Sequence, residues 1–239
     1  MKKIITLSMA ILLMAVLASC SKTVLRGNGK IVEEQRTIPN FTELENSGYF
    51  RVILSQGNTV AISLKGEENI LPEVVTYVEN NRLKLHYTSY NYAVKHEPVI
   101  INITVPEVSK LQLQSSGGIE NSGPWQHTTL ALDINGSGNI NWQAQADQAK
   151  GNVSGSGTLQ LNGKIKEGAE LVVSGSGNIL AIDCPAAKVK ATISGSGKIE
   201  TSPLDELEAT ISGSGSVYYK GDPPKLRTSV SGSGRVIRL

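Results

Sequence analysis

The sequence predicts an all-β chain: a single-stranded β-helix, or β-solenoid, of 18–20-residue coils with Gly-Ser-Gly corners, preceded by a β-rich N-terminal part with one short helix. Three observations carry this expectation. Gly-Ser-Gly occurs six times, as Gly136 and Gly138, Gly155 and Gly157, Gly175 and Gly177, Gly195 and Gly197, Gly213 and Gly215, and Gly232 and Gly234. The steps are 19, 20, 20, 18 and 19 residues. A flexible linker keeps no such register, whereas stacked repeats do. Next, the residues two before each first glycine (Ile134, Val153, Val173, Ile193, Ile211, Val230) and two after each second (Ile140, Leu159, Ile179, Ile199, Val217, Val236) are all aliphatic, and eleven of the twelve are β-branched. Apolar residues recur four and six before the corner, among them Leu171, Ala191, Leu130 and Val189. Alternation with period 2 on both sides of a corner describes strands with one buried face. Finally, a looser turn rich in Gly, Pro, Asp or Asn falls about half a period later, at 162–168, 183–188, 201–206 and 220–225; these residue types favour turns. Stacked strands lie about 4.8 Å apart, so five intervals make a rod of roughly 24 Å.

The chain opens differently. Met1, Lys2 and Lys3 form a basic start, and residues 4–18 form an apolar run that ends in Leu17-Ala18-Ser19-Cys20. That run is shorter than the roughly 20 residues of a spanning helix and has the layout of a signal peptide. Its last four residues look like a lipobox. Residues 1–19 are therefore expected to be removed and Cys20 to be lipidated, since two or more acyl chains anchor stably where one does not. The expected location is the cell envelope, as an outer-membrane lipoprotein of a Gram-negative cell. The acidic run that directs some such proteins to the cell surface is missing after Cys20, which leaves the inner or outer face of that membrane open. Residues 20–29 read as a tether.

Residues 30–110 read as the β-rich N-terminal part. A hairpin-like turn at Gln56-Gly57-Asn58 joins two strands. Ile70, Leu71, Val74, Val75 and Val78 share one helical face, which predicts a short helix within 68–78. Residues 82–87 and 98–105 read as strands. Residues 111–239 read as the repeat β-helix, which opens on a degenerate corner at Ser115-Ser116-Gly117. Residues 45–52 echo that corner. The N-terminal part is placed to cover the open end of the stack.

A lipobox, then "FTELENSGYFRVILSQG", then "ITVPEVSKLQLQSSGGIE", then serial "GSGNI"-type repeats resembles the putative auto-transporter adhesin, head GIN domain family, over about residues 39 to 239. On that resemblance 39–239 is one continuous domain. The resemblance implies a right-handed β-helix, similar in shape to pectin-lyase-like proteins but without their catalytic residues, and a role in cell adhesion. The expected anchor is the lipid on Cys20 rather than a C-terminal membrane barrel.

The residues offer little chemistry. Without residues 1–19 the chain carries 21 basic and 21 acidic residues, which argues against a nucleic-acid partner because affinity there needs a basic surplus. No third glycine completes a dinucleotide fingerprint, and no helix follows any corner to hold a phosphate. His86, His96 and His127 lack metal-ligand spacing; Asp133, Asp147, Asp183, Asp205 and Asp222 fall in different columns, so no metal or cofactor is expected. Asp133 or Asp183 would belong to a polysaccharide-cleaving cluster only in the weakest alternative. Cys184 reads as a packing residue. The corner serines Ser137, Ser156, Ser176, Ser196, Ser214 and Ser233 are read as a hydrogen-bonded ladder. Tyr87, Tyr90 and Tyr92, with Trp125, are candidate contacts for a glycan or for a host or envelope protein, against a plain packing role. Trp142 is expected to plug the stack. The uncapped C-terminal coil is a candidate surface for a homo-oligomer. The leading expectation is a non-enzymatic, lipid-anchored β-helix for adhesion or surface binding, and the alternative is an envelope scaffold.

Overall fold

In the computed structural model the described residues are 23–89 and 92–239. The expected signal peptide, Cys20 and Tyr90 lie outside them. Strands account for nearly all of the order. They are β1 (Thr23–Arg26), β2 (Ile31–Arg36), β3 (Glu43–Asn46), β4 (Phe50–Gln56), β5 (Ala61–Glu67), β6 (Val74–Glu79), β7 (Arg82–Tyr87), β8 (Tyr92–Lys95) and β9 (Val99–Val105). After them come β10 (Lys110–Leu113), β11 (Gly118–Asn121), β12 (Trp125–Ile134), β13 (Asn139–Gly155), β14 (Thr158–Gly175), β15 (Asn178–Gly195), β16 (Lys198–Gly213), β17 (Ser216–Tyr219), β18 (Lys225–Ser231) and β19 (Arg235–Arg238).

From β10 onward the chain winds as parallel coils, each laid in register on the one before, in a β-solenoid of about 6 turns. The corners explain the glycines, and the two in each corner are there for different reasons. Gly195 has φ +128, a left-handed conformation that favours glycine. A Cβ there would also stand 2.4 Å from the Gly175 oxygen. Gly197 has no such φ, but a Cβ on it would meet the Gly177 oxygen at 2.4 Å and Val173 Cγ1 at 2.5 Å. Backbone bonds run from corner to corner: Ser196 N–H donates to Gly175 O at 2.9 Å and Lys198 N–H to Gly177 O at 3.1 Å. The expected serine ladder is thus a main-chain ladder. The corner hydroxyls face solvent, and no bond joins one to the next among the described residues.

The second turn behaves differently. Strands run through it, and the register slips there and nowhere else in the long coils: between Ala146 and Gln148, Gln160 and Gly168, and Ala181 and Lys188. Asn178 pairs with Lys198, a step of 20, while Gly195 pairs with Gly213, a step of 18. The uneven repeat length is absorbed entirely where no glycine stack constrains it.

Inside, the aliphatic columns are buried, with Val153, Val173, Ile193, Ile140, Ile179 and Ile199 all at 0 % exposure. Trp142, also at 0 %, plugs the stack as expected. The last coil departs from the pattern. Leu226 is 48 % and Val230 43 % exposed, because β18 and β19 each pair on one side only.

Three expectations are corrected. Residues 68–78 form a 3₁₀ turn (Leu71–Glu73) followed by β6, not an α-helix. Ile70, Leu71 and Val74 are buried as the helical face required, but Pro72 and the β-branched run Val74-Val75-Thr76 favour a turn and a strand. Part of the expected tether is ordered, since β1 pairs in parallel with β8. And the structure draws no line at 110/111. β10 pairs with both β12 and β3, β11 with both β13 and β4, and one core runs from Phe41 to Tyr219. The N-terminal strands are the first coils. β7 and β9 lie below β3 and β4, with antiparallel β6 beyond β7 and β5 and β2 beyond β9, so hairpins close that end of the stack.

Gly195→Val is expected to lower stability by about 2–4 kcal/mol, whereas exposed Ser196→Ala shifts it by less than about 0.5 kcal/mol. Thermal unfolding followed by circular dichroism measures both.

Candidate ligand pocket

The coil formed by β7 and β9 lacks the three-residue corner. In its place the chain makes an excursion from Thr88 to Pro98 that contains β8, and β1 pairs along it, with Thr23 opposite Tyr92 and Arg26 opposite Lys95. This two-stranded flap leans over the ridge of corners. Between flap and ridge is an open cleft of about 470 Å³. Tyr87, Ser89, Tyr92, Val94 and His96 form one side; Ser47, Gly48, Tyr49, Ser115 and Ser116 form the other.

Its rings are held in place. Tyr87 is buried, tilted against Phe50 at 4.7 Å and edge-on to Tyr92 at 6.3 Å and His96 at 5.8 Å. His96 Nδ1 faces the Glu97 carbonyl, which only accepts, so Nδ1 carries the proton. His96 Nε2 faces the Tyr87 hydroxyl at 3.1 Å, and the same hydroxyl reaches the Tyr49 carbonyl oxygen at 3.5 Å. Burial, then the Tyr49 charge, pushes the Tyr87 phenol well above its usual range, so it stays a donor. The Tyr92 hydroxyl donates to Glu73 Oε2 at 2.8 Å, and Thr88 donates to the same oxygen. These bonds, Thr88 first, hold the Glu73 carboxyl below its ordinary range. The pocket wall is thus a set of oriented rings and hydroxyls, and among the described residues no Lys, Arg, Asp or Glu lines it.

Of the sequence candidates, the structure brings Tyr87 and Tyr92 together here. Trp125 is not among them. It is 1 % exposed, with its ring 5.3 Å from Trp142 and stacked on His127 at 6.2 Å, so it belongs to the core. The period-2 alternation puts it on the inward face. Tyr49 and His96 were missed, because nothing in the sequence ties residue 49 to residue 96. Cys184 is buried, and burial pushes its thiol up to about 12, which fits the packing role. Among the described residues no three His, Cys, Asp or Glu come together as a metal cluster. Asp133 accepts from Asn152 at 2.6 Å, which is a structural bond rather than part of a catalytic group.

A larger, shallower depression of about 1150 Å³ lies on the sheet face before the corners. Five residues before successive corners stand Lys150, Glu170, Lys190, Glu208 and Arg227, paired strand to strand in that order. Lys150 Nζ lies 3.1 Å from Glu170. Opposite charges on facing strands favour this register over a slipped one. The charges answer one another, so this face is read as a register device. The signal was available in the sequence by counting back from each corner.

The fold defines a class, the single-chain β-solenoids. The chain belongs to the putative auto-transporter adhesin, head GIN domain family, which it matches over residues 40–223. Solved structures agree. A putative adhesin from Bacteroides fragilis NCTC 9343 superposes with a TM-score of 0.79 at 20 % identity, over 90 % of this chain and 100 % of that one. A putative lipid binding protein from Parabacteroides distasonis ATCC 8503 gives 0.77 at 26 %, over 91 % and 100 %. A putative adhesin from Parabacteroides merdae ATCC 43184 gives 0.71 at 23 %, over 91 % and 99 %. The adhesin likenesses, at 20 % and 23 % identity, speak for the fold. A search of curated proteins finds no match.

One half-buried histidine makes stability depend on pH. His127 Nε2 accepts from Trp142 Nε1 at 3.4 Å, so the ring is neutral. Burial holds its pKa below the ordinary value, against a hydrogen bond to the Val108 backbone and the charge of Glu107, both of which raise it. The unfolded chain takes the proton first, from roughly pH 6.5. Stability from this group is therefore full above that pH and is lost as pH falls toward the folded pKa. The melting temperature should fall between about pH 7 and pH 5, and His127→Gln should flatten that slope whatever it does to the plateau.

Proposed function

We propose that this chain is a non-enzymatic, lipid-anchored β-solenoid of the outer membrane that binds a glycan in the flap cleft. The observation that carries it is the cleft itself. Tyr49, Tyr92 and His96 present partly exposed ring surface beside the Ser47 and Ser116 hydroxyls. Aromatic faces suit the CH faces of sugars, and hydroxyls answer sugar hydroxyls. The adhesin family supports a binding role at the cell surface or envelope. Ala18-Ser19-Cys20 after the apolar run supports the lipid. On a glycan array, Tyr92→Ala is expected to lose at least tenfold in signal without a change in melting temperature. A wild-type array without any hit would remove the glycan reading.

The scaffold alternative is favoured by one observation. Leu226, Thr228 and Val230 repeat, in register, the column that Leu207, Ala209 and Ile211 bury one coil earlier. The exposed face is the same one each coil presents to its successor, so a second copy of this chain meets it with matching apolar rungs. Light scattering is expected to give a dimer mass at high concentration and a monomer for Val230→Lys.

A further inference from the structure

The flap that walls the pocket is also where the chain leaves for its anchor, and this decides where the ligand is. Thr23 stands opposite Tyr92 at the pocket. Cys20 is three residues upstream, and three residues span at most about 11 Å. The segment offers no slack after Thr23. β1 is paired along its length, and Gly27 N–H donates to Lys95 O. Asn69 Nδ2 donates to Arg26 O at 2.8 Å, Glu67 accepts from Gly29 N–H at 2.6 Å, and Lys30 pairs with Glu68 at 2.8 Å. A lipid on Cys20 therefore holds the cleft within about two headgroup layers of the bilayer. The open coil of β18 lies eight strand spacings up the same sheet from β7, roughly 38 Å away.

The geometry points to a ligand in the membrane that carries the anchor: the uncharged sugar headgroup of a glycolipid. This inference rests on the lipidation and glycan readings above and names the source of the glycan. Among the described residues no lysine, arginine or carboxylate lines the cleft, which favours a neutral sugar over a phosphate or a uronate. The rings of Tyr49, Tyr92 and His96 take its CH face, and Ser47 and Ser116 lie beside its hydroxyls. The protein thus grips its own membrane at one end and projects the solenoid away from it.

The mature lipidated protein, reconstituted in phosphatidylcholine vesicles with and without a monogalactosyl lipid, tests this. One environment-sensitive dye sits on Lys95→Cys, exposed on the flap, and another on Lys225→Cys, exposed at the far end; Cys184 is too buried to compete. With a quencher on the lipid headgroups, the flap dye is expected to lose more than half its emission and the far dye almost none. The galactolipid should add a saturable change at the flap dye, lost in Tyr92→Ala and kept in Tyr92→Phe, both with the wild-type melting profile. Equal quenching at the two sites in anchored protein would sink the orientation. A galactolipid response that is missing, or unchanged in Tyr92→Ala, would sink the headgroup assignment even with the orientation intact. Failure of wild-type protein to incorporate fatty acid, with Cys20→Ala behaving identically, would remove the lipidation reading and this inference with it.

Discussion

Each coil of this protein depends on backbone stacked directly on backbone at the corner. A parallel coil that must turn sharply within three residues, at the spacing of a β-ladder, leaves no volume for a side chain on its inner edge. Gly197 shows the case at its simplest, with an ordinary backbone conformation and no space for a Cβ against Gly177. Gly195 adds a conformation that other residues avoid. Because the corner cannot vary, it sets the register for the rest of the coil. The aliphatic columns on both sides, from Ile193 to Ile199, fall into line behind it. Cross-strand charges such as Lys150 with Glu170 reinforce the same alignment from outside.

That rigidity leaves variation only two places to go. One is the second turn, where register slips of one to three residues are taken up before the next buried column. The other is the N-terminal end, where the winding departs from chain order. β3 and β4 are laid down before β7 and β9, yet sit above them in the stack. Antiparallel β2, β5 and β6 then close the end with hairpins. This arrangement protects an edge that would otherwise be open to further strands. At the far end, among the described residues, Leu226 and Val230 are exposed to solvent.

The pocket exists because one corner was replaced. Where other coils turn on three residues with almost no side-chain volume, the β7-to-β9 connection spends its extra length on β8, and β8 brings in β1. The flap places Tyr92 and His96 against the otherwise bare ridge at Ser47 and Ser115. Glu73 fixes Tyr92, and the His96–Tyr87 bond fixes the floor, so the rings are oriented before anything binds. A regular solenoid has few concave sites of its own, and function here is carried by the departure from the repeat.

Much of this was legible from residues alone. Six corners in steps of 18–20, with aliphatic flanks, determine the solenoid, its buried faces and the inward position of Trp142, because the spacing and the alternation are local properties of the chain. The charge ladder was legible by the same count. The short helix was misread because an apolar face at helical spacing also fits a turn followed by a strand, and Pro72 with three β-branched neighbours tipped the balance. What only the tertiary structure decided is long-range. Tyr49 meets His96, Thr23 meets Tyr92, and β3 lies between β7 and β10. None of these pairings leaves a trace in sequence spacing, since irregular segments carry no period from which a partner can be counted. The repeats specify their own neighbours; the segment that breaks the repeat finds its neighbours only when the whole stack has formed.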